Sequence, residues 1–133
     1  MRNIVLLGGD LVSSLPLPRV LEGFGYGVLS AAEPDDVLYA AVTEKVALII
    51  IDLDFPGGGV LNLIDTLKQG HDALPVLALI GAEDDGELYL EAAERIGADR
   101  CLRRPVTLAD LHGAVSRELR RTRRRARGRG RAA

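Results

Sequence analysis

At 133 residues with 47% hydrophobic content, the chain is long enough for one packed core plus a short extension and too apolar to be disordered throughout. No apolar run approaches the roughly 20 residues of a membrane span, the first residues lack a signal-peptide pattern, and the single cysteine, Cys101, excludes an internal disulfide or a multi-cysteine metal site, so the cytoplasm is the expected location. The net charge of −2 hides a segregation: residues 117–131 hold nine arginines and one acid, net +8, whereas the preceding part holds eight bases and eighteen acids, net −10.

Residues 3–7 read as an apolar strand that closes on Gly8, Gly9 and Asp10, with Asp10 placed to cap the first helix. The apolar spacing over 11–22 is compatible with a helix, but Pro16 and Pro18 distort its start, so its regular part begins near Leu17. The glycines at 25 and 27 punctuate, and 26–31 reads as a short second strand. Pro34, beside Glu33, Asp35 and Asp36, suits the first turn of a helix that runs to Glu44.

Residues 46–51, VALIII, are too few for a buried helix and too uniformly apolar for a half-exposed strand. They suit a central parallel strand covered on both faces. Asp52 and Asp54 come next, then Phe55, Pro56 and three glycines, so two carboxylates stand at the carboxyl end of a buried strand, where open α/β sheets bind ligands. Asp52 either serves such a site or simply ends the strand, and Asp54 reads as a solvated loop acid.

Further on, Val60, Leu61, Leu63, Ile64 and Leu67 give a helical stripe that stops at Gly70, and 75–80, PVLALI, is another buried strand. After the acidic 83–85 segment, Leu88, Leu90, Ala92, Ala93 and Ile96 carry a helix that ends at Gly97. A short strand over 100–102 meets Arg103, Arg104 and Pro105, and Thr107 caps a last helix that runs out into the arginines. Five strands alternating with five helices through short, right-handed connections predict an α/β fold with a doubly wound parallel sheet. The expected division is a domain over 1–118 and an arginine-rich tail over 119–133, helical at first and disordered around Gly128 and Gly130.

The pattern Ile-Ile-Ile-Asp-x-x-x-Pro-Gly at 49–57 resembles the third strand and following loop of response-regulator receiver domains, the phosphoacceptor modules of two-component signalling. Gly25-Tyr26 before the second strand, Pro75-Val76 opening the fourth, Gly97-Ala98-Asp99, and Arg104-Pro105 after the fifth fall at matching intervals, so the likeness covers roughly 3–118. It implies a flavodoxin-like (βα)5 sheet of strand order 2-1-3-4-5, and it puts Asp52 at the phosphoacceptor position.

The departures from the family pattern fall on its chemistry. The acidic pair that ends the first strand of a working receiver is here Gly8 and Gly9, the hydroxyl residue ending the fourth strand is Ile80, the lysine before the fifth-loop proline is Arg104, and the aromatic switch residue is Cys101. Phosphoryl transfer to aspartate needs Mg²⁺, which seeks octahedral oxygen ligation. No cofactor is expected, and Mg²⁺ would be held only if Asp52 and Asp10, with Asp54 nearby, rebuild a site; helix capping is the alternative role for Asp10. Arg104 either forks onto Asp52, mimicking an engaged state without phosphate, or turns to solvent.

The resemblance with these losses implies a stand-alone, atypical receiver, a pseudo-receiver, that is no enzyme and works by binding a signalling protein. The family's usual contact face is built by the fourth helix, fifth strand and fifth helix, here 88–94 and 108–115. An alternative is a receiver still phosphorylated on Asp52 through a rearranged metal site. The tail arginines, Arg120, Arg121, Arg123, Arg124, Arg125 and Arg127 among them, fit a nucleic-acid arm, an acidic protein or self contact, anionic lipid, or a solvated extension. The glycine clusters match neither nucleotide-binding fingerprint, which leaves a flavodoxin-like nucleotide or flavin binder as a minor alternative. His71 and His112 read as surface histidines, Cys101 as a buried small hydrophobe, and a homodimer is an open option.

Overall fold

The computed structural model describes residues 2–8, 11–12, 15–71, 73–81 and 86–132, with the side chains of 11–12, 86 and 122–132 excepted. Strands β1 (Asn3–Leu7), β2 (Gly27–Ala31), β3 (Val46–Asp52), β4 (Val76–Ile80) and β5 (Arg100–Arg103) form one sheet in the order β2-β1-β3-β4-β5. Every pairing within it is parallel. Helices α1 (Leu17–Gly23), α2 (Pro34–Thr43), α3 (Val60–Gly70), α4 (Gly86–Ile96) and α5 (Leu108–Ala132) come after the five strands in turn. This is the doubly wound, flavodoxin-like 2-1-3-4-5 arrangement that the alternation and the family resemblance lead one to expect.

The uniform apolarity of the central strands results from cover on both faces. Alternate residues enter opposite cores: Ile4, Leu6, Leu48 and Ile50 pack with Leu17 and Leu21 of α1 and Leu111 and Val115 of α5. Their neighbours Val5, Leu7, Ile49 and Ile51 pack with Val37 of α2, Ile64 and Leu67 of α3 and Ala93 of α4. The period-2 geometry of a strand thus feeds two helical layers from one continuous run.

Local signals act where expected in α2 and α5. Pro34 opens α2, and the Glu33 backbone N–H donates to Asp36 Oδ2 at 3.1 Å. Thr107 Oγ1 accepts from the Asp110 backbone N–H at 3.0 Å and caps α5. The helix α1 begins at Leu17, as Pro16 and Pro18 lead one to expect: Pro16, at φ −59° and ψ 128°, is extended and becomes its N-cap, and Leu11–Val12 pair antiparallel with Leu15–Pro16 ahead of it. Asp10, the expected cap, lies outside the described residues. The backbone of α5 continues as helix to Ala132.

At the amino-terminal end of the sheet a buried ion pair ties three elements. Asp99 Oδ2 accepts from Lys68 Nζ at 2.8 Å and from the Val76 backbone N–H at 2.8 Å, and the same ammonium donates to the Leu74 carbonyl at 3.0 Å. The pair fixes α3 against the starts of β4 and β5. Removing one partner leaves a desolvated charge, so Asp99→Ala is expected to lower unfolding free energy by about 2–4 kcal/mol in urea titration; a loss below about 0.5 kcal/mol, the ordinary surface range, would contradict the role.

Candidate functional site

The order β2-β1-β3 reverses direction at β1, and in such sheets ligands bind at the carboxyl ends of the strands beside that point. Asp52 is the last residue of β3, in register with Leu79 of β4. The Asp54 backbone N–H turns back to donate to Asp52 Oδ1 at 2.9 Å, which fixes one carboxylate oxygen over the strand end. Arg104 leaves β5 with its backbone N–H on the Ile80 carbonyl at 2.8 Å, so its side chain starts level with the end of β4.

From there the guanidinium crosses to β3 and grips Asp52 with both terminal nitrogens. Nη2 donates to Oδ2 at 3.1 Å and Nη1 to Oδ1 at 3.3 Å. Nη1 also reaches Asp54 Oδ2 at 3.3 Å, and that oxygen accepts from the Gly81 backbone N–H at 2.7 Å. Asp52 is 14% exposed and Arg104 27%, so the fork is partly desolvated, where charge-assisted hydrogen bonds are strong.

Asp54 is therefore more than a solvated loop acid. Although 48% exposed, it joins the loop after β3 to the end of β4 and to Arg104. Two carboxylates and one guanidinium form the described part of the site, and among the open alternatives for Arg104 the structure has the fork.

The glycines are part of the geometry. Gly8 has φ +75°, and a Cβ on it would lie 2.7 Å from Asp52 Cβ and 3.3 Å from Asp52 Oδ2. A Cβ on Gly81 would meet Asp54 Oδ2 at 2.8 Å, so a side chain there would displace the carboxylate. Ile80 is buried in the core beneath and offers no donor. Cys101 sits in the middle of β5, half-buried rather than fully buried, and its thiol is pushed up to about 11 by burial and by the Glu94 carboxylate. A thiol so raised is a poor nucleophile at neutral pH.

Other expected residues lie apart. His112 packs edge-on against Phe24, with ring centroids 4.8 Å apart, and His71 lines an open cavity of about 640 Å³ with Arg2 and Lys45 at the opposite end of the sheet. Gly9 and Asp10 lie outside the described residues, as do the side chains of Arg123, Arg124, Arg125 and Arg127. Arg120 is exposed, whereas Arg121 Nη1 turns back to both oxygens of Glu118 at 3.1 Å. Glu118 is 1% exposed and also accepts from Arg100 Nε at 3.1 Å, a buried anchor that its place in an arginine run does not announce.

The response regulator receiver domain model matches residues 13–116. The chain belongs to this family. The receiver is 28% identical over 123 residues to the alkaline phosphatase synthesis transcriptional regulatory protein PhoP of Bacillus subtilis (strain 168), a match covering 92% of this chain and 50% of that protein. It is 34% identical over 102 residues to the sensory/regulatory protein RpfC of Xanthomonas campestris pv. campestris, covering 71% of this chain and 13% of that one. The receiver thus spans half or less of the length of these two relatives. Among solved structures it is similar to a response regulator receiver domain protein from Clostridium thermocellum, at a TM-score of 0.76 and 22% identity over 92% of this chain and 98% of that one. NtrX from Brucella abortus superposes at 0.82 and 23% identity over 98% and 29%. At such identities these structures share the fold alone.

Receivers imply Mg²⁺ beside the acceptor aspartate, and the described residues of this one do not fit it. Both Asp52 oxygens are engaged by a guanidinium, and Gly8 has no room for a carboxylate. Restoring an acid at Gly8 is therefore expected to fail: Gly8→Asp meets Asp52 Cβ and the left-handed backbone together, loses about 1–3 kcal/mol in urea titration, and gains no Mg²⁺ binding by calorimetry at millimolar metal. Millimolar affinity in this variant would contradict the geometry.

Proposed function

We propose that this receiver domain serves signal transduction as a phosphorylation-independent protein-interaction module, a pseudo-receiver without enzymatic activity. The observation that carries the reading is the Arg104 fork on both oxygens of Asp52. A phosphoryl acceptor needs a free carboxylate oxygen to attack and a divalent cation to neutralise the charge gathering on the transferring group. Here a cation of the chain's own already neutralises the acceptor. Displacing it would break two charge-assisted hydrogen bonds and strip Asp54 of the same partner.

The response elements point the same way. A phosphorylated receiver draws a hydroxyl and a lysine ammonium onto the phosphoryl group, and Ile80 and Arg104 stand at those positions. Arg104 already bridges β5 to β3, so the reading has the β5 end held constantly in one place. Partner binding then rests on surface. The face of α4, β5 and α5, whose helices carry Leu88 at 71% exposure and an exposed Leu108, is the proposed contact for a signalling protein.

The test is incubation of the purified domain with acetyl phosphate and Mg²⁺, followed by intact mass measurement. No phosphoryl adduct is expected. A stoichiometric adduct that disappears in Asp52→Asn would overturn the reading and return the protein to receivers phosphorylated on Asp52.

A further inference from the structure

The carboxyl end of α5 carries a dense run of arginines. Among the described side chains, burial along the helix tracks Leu111, Val115 and Leu119, and Arg120 and Arg121 are exposed. The backbone nevertheless continues as helix to Ala132. Its root is fixed, because the buried Glu118 carboxylate is held from β5 by Arg100 and from the next turn by Arg121. Thirteen further residues at 1.5 Å each make an arm of about 20 Å.

The composition of that arm narrows what it can bind. Nine arginines fall between Arg117 and Arg131, and the lone acid in that interval, Glu118, is buried and paired. At 100° per residue these nine positions sweep an arc of about 240° around the helix axis. The remaining sector holds Leu119, Thr122, Ala126 and Gly130, a continuation of the buried stripe that offers no large apolar group beyond Leu119. A membrane-surface helix needs a broad apolar face. Protein interfaces are anchored by aromatic and arginine side chains seated together in pockets, and the arm offers arginines with no aromatic partner. Single-stranded nucleic acid needs aromatic stacking platforms, and residues 117–133 contain no aromatic residue.

A duplex asks for none of these. Its phosphates flank a groove on both sides, a groove of B-DNA admits one α-helix, and a helix lying in it is best served by cations around most of its circumference. The net −10 of the preceding part keeps the rest of the molecule off a polyanion, which confines contact to the arm.

We propose that the helical arm 117–132 binds duplex nucleic acid through its phosphate backbone, without base selection. Each arginine that neutralises a phosphate releases counterions. With about five phosphates engaged, the log–log salt slope is about −4.5 and affinity falls roughly 500-fold between 50 and 200 mM salt.

The test is fluorescence anisotropy of the full chain with two unrelated 20-base-pair DNA duplexes and one RNA duplex, across that salt range. Labelled polyglutamate and phosphatidylserine vesicles serve as competing anions. Expected are equal affinities for the two DNA sequences within about threefold, the steep salt slope, and a slope smaller by about 3 in R123Q/R124Q/R125Q/R127Q, whose helix content is checked by circular dichroism. Either duplex type binding in this way supports the proposal, and their ratio says which groove the arm prefers. Equal duplex binding by parent and quadruple variant would overturn it. So would binding to polyglutamate or vesicles in the absence of duplex binding.

Discussion

The carboxylate–guanidinium fork between Asp52 and Arg104 is the contact on which the carboxyl end of the sheet depends. It links the last residue of β3 to the residue just past β5, across the end of β4, and recruits Asp54 and the Gly81 backbone into the same network. Two parallel N–H···O bonds define an orientation as well as an attraction, which a lysine point charge would not. The guanidinium keeps its charge at every pH a folded protein meets, so the cation of the link does not titrate away. On the proposed reading, this internal cation holds the carboxyl end of the sheet in one arrangement.

Close packing makes that arrangement self-consistent. Arg104 can lie over Asp52 because the neighbouring strand end is Gly8, whose missing Cβ leaves the space that Asp52 fills. The buried Ile80 supplies only its carbonyl, and that oxygen anchors the Arg104 backbone. Gly8, Ile80 and Arg104 thus suit one another's geometry. At the other end of the sheet, Lys68 and Asp99 show the same logic applied to structure alone: a charge pair taken out of water, with a backbone N–H and a carbonyl completing its hydrogen bonds.

Much of this is legible in the residues alone. The apolar run at 46–51 and its matching run at 76–80 identify strands covered on both faces, and Pro34 and Thr107 mark helix starts for reasons of local chemistry. Asp52 and Arg104 are recognisable as site positions, but whether they touch depends on a separation of 52 residues that no local rule measures. Asp54 is easily undervalued because an acid in a glycine-rich loop has solvent as its default; its i, i+2 spacing from Asp52 is the available clue. Glu118 is hidden by charge arithmetic, since one acid among nine arginines reads as a diluted charge until burial reveals it as an anchor. The pairing of Leu11–Val12 with Leu15–Pro16 is not announced by an apolar spacing that fits a helix, although Pro16 and Pro18 do mark the start of α1 at Leu17.

An amide NMR titration with Mg²⁺ followed by beryllofluoride, a mimic of the phosphoryl group, tests the central claim most directly. The guanidinium fork predicts that the resonances of Gly8, Asp52, Asp54 and Gly81 stay in place at millimolar metal and mimic. Saturable shifts at those amides, with release of the Arg104 side-chain N–H signals, would contradict it and show an acceptor site that the arginine merely covers at rest.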